Sequence, residues 1–107
     1  MSKDYQLRDY DVKPGAYDEF IVEWATNIVP LRRKFGFEVL GAWSNAERTR
    51  FVWMIAREDF ETADRAYYAS PERANLRPDI TRHLSRIDAT LLGAVPLPPS
   101  AVAAPAG

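Results

Sequence analysis

His83 is the only imidazole in the chain, and imidazole is the group best suited to exchange protons near neutral pH. It is therefore the first candidate for a general acid or base. Flanked by Arg82 and close to Arg86 at the end of a helical region, it equally suits a hydrated structural histidine. A haem-ligand role finds no second marker in the sequence. Arg8 and Tyr10 are two residues apart in a strand-like stretch, so they share a face and can offer a fixed cation and a phenol to a bound acid or enolate. Their competing reading is an ion pair of Arg8 with Asp88 or Asp9 across a sheet, beside a packed tyrosine. Trp43 and Trp53 are expected to face inward on neighbouring strands, lining an aromatic chamber or filling a core. Tyr67 and Tyr68 stand about 100° apart on a helix, so one packs and the other points to a cleft or a partner, and Tyr68 is read as the more exposed. The catalytic candidates are thus His83 and Tyr10, and the ligand-binding candidates Arg8, Trp43, Trp53 and Tyr68. Paired carboxylates, a Ser-His-Asp order, metal-ligand spacing and a phosphate-binding glycine loop are all lacking. Hydrolase, metalloenzyme and nucleotide-dependent readings fall away, and no cofactor is expected.

These residues lie in a chain of 107 residues, the size of one domain that folds without disulfides or metal. Without cysteine, thiolate nucleophiles, zinc-thiolate sites and iron–sulfur clusters are excluded, and a reducing, cytoplasmic setting is the expectation. The net charge of -1 comes from 14 basic and 15 acidic residues dispersed along the chain, which gives no sustained field to hold nucleic acid. No apolar run approaches the roughly 20 residues of a membrane span, and Met1-Ser2-Lys3-Asp4 lacks the apolar core of a signal peptide. From Pro96 the composition turns to proline and alanine, so a domain over residues 1–97 and a disordered tail over 98–107 are expected.

The elements that must position the candidates are legible in the pattern. Tyr5 to Val12 alternates toward a strand that stops at Lys13-Pro14-Gly15. Tyr17, Phe20, Ile21, Trp24, Ile28, Leu31 and Phe35 step by three and four along one helical stripe, with Asp18 and Glu19 at its start, Arg32 to Lys34 at its end and Gly36 as a stop. Pro30 predicts a kink or break there. Residues 37–43 and 50–57 read as a hairpin turning through Ser44 to Glu47. Asp59 reads as the N-cap of a second helix through Phe60, Ala63, Ala66 and Tyr67. Ser70-Pro71-Glu72 restarts a short helix, Pro78-Asp79 repeats the punctuation, and residues 87–95 form a last strand, apolar enough to be central in a sheet.

The order strand, helix, strand, strand, helix, strand is a split pair of βαβ units, a ferredoxin-like α+β domain with a four-stranded antiparallel sheet and helices on one face. The other face, to which Trp43, Trp53 and Tyr10 are provisionally assigned, needs cover. Pairing two such sheets about a twofold axis closes a barrel and predicts a homodimer. Which parity of residues lines that barrel is left open by the alternation alone.

Tyr5-Gln6-Leu7-Arg8-Asp9-Tyr10 followed by Lys13-Pro14-Gly15 resembles the opening of the NIPSNAP family, a Leu-Arg-x-Tyr strand with a Pro-Gly turn into the first helix. Pro30-Leu31, Phe35-Gly36-Phe37 and Gly41-Ala42-Trp43 are similar to that family's helix end and second strand. Phe51-Val52-Trp53 and Tyr67-Tyr68-Ala69-Ser70-Pro71-Glu72 resemble segments of the wider dimeric α+β barrel superfamily. The resemblance spans roughly residues 5–96 and implies a dimeric α+β barrel. It implies no single activity, because the superfamily holds cofactor-free oxygenases, cyclases, isomerases, haem-binding enzymes and proteins without a known reaction. Two functions stay open: a tailoring enzyme acting on an aromatic or polyketide-like molecule, or a non-catalytic ligand-sensing or protein-interaction module whose barrel is filled by its own side chains.

Overall fold

Alternation in the first strand decides the two faces of the sheet. The computed structural model describes residues 3–99; residues 100–107 of the expected tail lie outside the described residues. Strand β1 (Lys3–Val12) buries Gln6, Arg8, Tyr10 and Val12 and leaves the residues between them half-exposed. The apolar stripe that follows forms α1 (Tyr17–Glu23), a π-helical turn (Trp24–Ile28) and α2 (Val29–Lys34). The break expected at Pro30 takes the form of this wide turn. Pro30 has no N–H to give to the preceding turn, and the Val29 N–H reaches back to the Trp24 carbonyl. Gly36, at φ 86°, ends the helix in the left-handed conformation that glycine adopts freely.

Strands β2 (Glu38–Ser44) and β3 (Arg50–Glu58) form the hairpin, and the Asn45 side-chain carbonyl closes its turn by accepting from the Thr49 and Arg50 N–H groups at 2.9 and 3.0 Å. Helix α3 (Phe60–Ala69) follows with Asp59 at its N-cap position as expected, but without the capping bond that makes aspartate favourable there. The φ of 51° at Asp59 reverses the chain from strand to helix within one residue. Ser70 does cap α4 (Pro71–Ala74), accepting from the Arg73 N–H at 3.1 Å. Asp79 caps a 3-10 turn (Ile80–His83) that leads into β4 (Leu84–Gly93).

The sheet order is β2-β3-β1-β4, fully antiparallel, the arrangement of a ferredoxin-like domain. β4 is therefore an edge strand and not the central one its apolar residues suggested; Ile87 and Leu91 on it remain 45% and 42% exposed. Cross-strand rows sort every side chain. Arg8 lies opposite Trp53 and Ala89, and Tyr10 opposite Phe51 and Ile87, all on the helix-covered face. Leu7 lies opposite Met54, and Val52 opposite Trp43, on the open face. The two tryptophans thus sit on opposite faces, with Trp53 in the core and Trp43 exposed. The Trp43 ring lies against Gly41, where a Cβ would come within 2.9 Å of it, so that flat packing requires glycine.

One end of the open face is charged. Arg50 donates to both Asp9 carboxylate oxygens at 3.0 and 2.7 Å, and Arg86 donates to Asp9 at 3.0 Å and to Asp11 at 2.8 Å, while also pairing with Asp88. Arg50 first, then Arg86, holds the Asp9 carboxyl down to about 2 from its ordinary 3.8, against the cost of its desolvation. A carboxyl depressed on folding stabilises the fold above its ordinary value and loses that contribution as the pH falls through its folded value. Melting temperatures of the wild type and Asp9→Asn should therefore differ most above about pH 4 and converge as the pH approaches about 2. Parallel curves across that window would show that the network adds no stability.

Candidate functional site

A cavity of about 190 Å³ opens between the covered face of the sheet and the helices. The stripe spacing builds one wall, since Phe20, Trp24, Ile28 and Arg32 follow one another at steps of four. Strands β1 and β3 contribute Arg8, Tyr10 and Trp53, and the end of α3 with α4 contributes Tyr67, Tyr68 and Arg73. The walls are aromatic in the edge-to-face manner that such rings prefer, with Trp24 at 5.4 Å from Trp53 and 5.0 Å from Phe51.

The polar groups are guanidiniums and phenols. Arg8, 8% exposed, donates from Nε to the Tyr10 hydroxyl at 2.7 Å, from Nη1 to the Gln6 carbonyl oxygen at 2.8 Å and from Nη2 to the Tyr68 hydroxyl at 3.0 Å. All three acceptors are neutral. Burial is the largest influence on Arg8 and opposes its charge, while the oxygens of Tyr10 and Tyr68 and the more distant Asp64 favour it. Arg32, 1% exposed, pairs with Asp64 at 2.7 Å, donates to the same Tyr68 hydroxyl at 3.2 Å and stacks 3.8 Å from the Tyr67 ring centre. Arg73 lies 5.4 Å from the Tyr68 ring centre. Burial pushes the Tyr67 phenol above its ordinary 10.0, against the pull of Arg32 and Arg73. Among the described residues neither Arg8 nor Arg73 has a carboxylate partner, so the cavity carries uncompensated positive charge.

The sequence candidates divide accordingly. Arg8, Tyr10, Trp53 and Tyr68 come together, though on the helix-covered side and not on the open face that a sheet-to-sheet barrel would enclose. The ion pair of Arg8 with Asp9 or Asp88 does not form, because those carboxylates lie on the other face and bind Arg50 and Arg86. Trp43 belongs to a separate cleft on the open face, with Leu7 and Val52. Tyr68 is the more exposed of its pair, at 42% against 1% for Tyr67.

His83 lies apart from the cavity, although Thr81 and Leu84 beside it line the wall. It is 6% exposed and not hydrated at its edge, because the 3-10 turn packs it against α1, with Nε2 3.3 Å from Glu23 and 3.4 Å from Glu19. Arg82 already balances those carboxylates, reaching Glu23 at 2.8 and 2.5 Å and Glu19 at 3.3 Å. Its bond foremost, with a smaller contribution from His83, depresses the Glu23 carboxyl.

Arg32 and Arg73 are site residues that the sequence reading missed. For Arg32 a signal was present, a cation falling on the apolar stripe four residues after Ile28. Arg73 carried none, since α4 is placed by tertiary packing.

A four-stranded antiparallel sheet of this order with helices on one face defines a ferredoxin-like α+β domain. Residues 5–96 match the NIPSNAP family model, and the chain belongs to the NIPSNAP family. The fold is shared with a NIPSNAP domain protein from Burkholderia xenovorans, 17% identical over 90% of this chain and 98% of that one, with a TM-score of 0.75. A NIPSNAP family protein of unknown function from Agrobacterium tumefaciens is 17% identical over 92% and 93% of the two chains, with a TM-score of 0.76. A structure described as an antibiotic biosynthesis monooxygenase is 21% identical over 87% and 99%, with a TM-score of 0.66. No curated protein matches the sequence. No helix among the described residues is long and apolar enough to cross a membrane.

Proposed function

We propose that this NIPSNAP protein binds a small aromatic molecule bearing an acidic oxygen in the cavity beneath its helices, and that it does so as a homodimer paired through the open sheet face. The observation that carries the ligand reading is Arg8, a buried cation with only neutral acceptors in a chamber of aromatic walls. A buried guanidinium is costly to leave without an anion, and a carboxylate, enolate or phenolate of a ligand would supply one. Trp53 and Trp24, packed edge-to-face, would form one wall against the ring, and the Tyr10 hydroxyl, tied to Arg8, is placed to exchange a proton with the ligand's oxygen. These roles suit a cofactor-free isomerase, cyclase or oxygenase, and the likeness to a structure described as a monooxygenase points the same way. A non-catalytic binding module is favoured by one feature, namely that the cavity presents guanidiniums and phenols while His83 lies outside it.

Arg8→Ala should weaken binding of aromatic acids by about one to two orders of magnitude, the value of a charge-assisted hydrogen bond. Calorimetric titration of wild type and variant with a panel of single-ring acids checks it. Full retention of affinity would return Arg8 to a purely structural role. The pairing through the open face rests on Trp43 and Leu92 at 57% and 39% exposure, with Leu7, Val52 and Met54 between them on the same face.

A further inference from the structure

We infer that the Tyr68 hydroxyl is a displaceable plug standing where a ligand's carboxylate oxygen binds, and that Arg8 and Arg32 together form the seat for that carboxylate. This rests on the reading of the cavity as a ligand site and names its substrate class, single-ring aromatic carboxylic acids.

One phenol oxygen accepts from two guanidiniums carried by different elements, at 3.0 Å from Arg8 on β1 and 3.2 Å from Arg32 on α2. Two converging guanidinium forks are the donor set that planar carboxylates match, and a charged oxygen makes hydrogen bonds about twice as strong as a neutral phenol does. Exchange of the phenol for a carboxylate is thus favourable at that point. The donors stay in place without Tyr68, because Arg8 is also held by Gln6 and Tyr10 and Arg32 by Asp64. The Nε of Arg32 is buried and has no acceptor among the described residues, which leaves the seat a further donor. Tyr68 is 42% exposed, so its ring has room to swing outward. The volume sets the size of the guest. About 150 Å³ suffices for benzene, and the cavity's own volume of about 190 Å³ takes one ring with a short acid arm.

Phenylacetate and its uncharged isostere phenylacetamide, titrated into the full chain by calorimetry, test the inference. The acid should bind at least about tenfold more tightly than the amide, and Tyr68→Phe, which removes the competing oxygen, should tighten the acid by about threefold or more with the amide within twofold. Arg32→Gln should weaken the acid about tenfold or more; if that variant fails to fold, the wild-type ligand pair and Tyr68→Phe still decide. Equal binding of acid and amide, or an acid weakened tenfold by Tyr68→Phe, overturns the plug and its seat while leaving the cavity as an aromatic binding site. Failure of both compounds to bind at about 5 mM overturns the inference and the cavity reading together.

Discussion

Replacing Trp53 with alanine should cost about 3–5 kcal/mol, a large part of the roughly 5–15 kcal/mol that holds a domain of this size together. The side chain is 1% exposed, stands edge-on to Trp24 at 5.4 Å and backs the Arg8 guanidinium at 5.7 Å, so its loss opens a void in the wall of the cavity. Urea titration should place the midpoint far below that of the wild type, or show no folded baseline at all. Trp53→Phe should cost much less, because the indole N–H has no acceptor among the described residues and no hydrogen bond is lost. Trp43→Ala is the contrast. At 57% exposure it should cost the protomer less than about 1 kcal/mol. If the two alanine variants lose the same unfolding free energy where the protein is monomeric, the assignment of the tryptophans to opposite faces is wrong.

The second large effect concerns assembly. Met54 sits mid-sheet on the open face, directly opposite Leu7 on one side and Gly41 on the other. If the protein pairs through that face, Met54→Glu puts a carboxylate into the apolar centre of the interface, where burial without a partner costs several kcal/mol. Light scattering coupled to size exclusion should then find a dimer for the wild type at micromolar concentration and a monomer for the variant, with the dissociation constant raised by about a hundredfold or more. A wild type that runs as a monomer removes the pairing. A dimer unaffected by Met54→Glu moves the interface elsewhere, for instance to the exposed apolar residues of edge strand β4.

The two experiments probe opposite faces of one sheet, and that division was the point at which reading along the chain stopped being enough. Alternation in residues 5–12 put Arg8 and Tyr10 together correctly, since the side-chain period of a strand is a local property of the backbone. It could not say which parity the helices would cover. Trp43 and Trp53 looked equivalent because each lies among branched and aromatic residues. Their separation depends on hairpin register, with Val52 and not Trp53 opposite Trp43, and on the irregularity between Val39 and Gly41 that shifts the pairing of β2. Ile87 and Leu91 suggested a central strand for a related reason, in that apolar content reports what can be buried without naming what does the burying.

What the chain determined by itself was local: the strand alternation, the helical stripe with its charged ends, the break near Pro30, the Ser70 cap, and the short ordered motifs that mark the NIPSNAP family. Each depends on neighbours within a few residues, whose conformational preferences act wherever the segment lies. The site was decided only by the tertiary structure. Arg8 and Tyr68 are 60 positions apart and Arg32 and Tyr68 are 36 apart, yet they share one oxygen, and His83, the obvious chemical candidate, was turned away from the cavity by its packing against Glu19 and Glu23. Contacts of such separation are set by how β1, α2 and α3 pack over a common core, which no local propensity encodes.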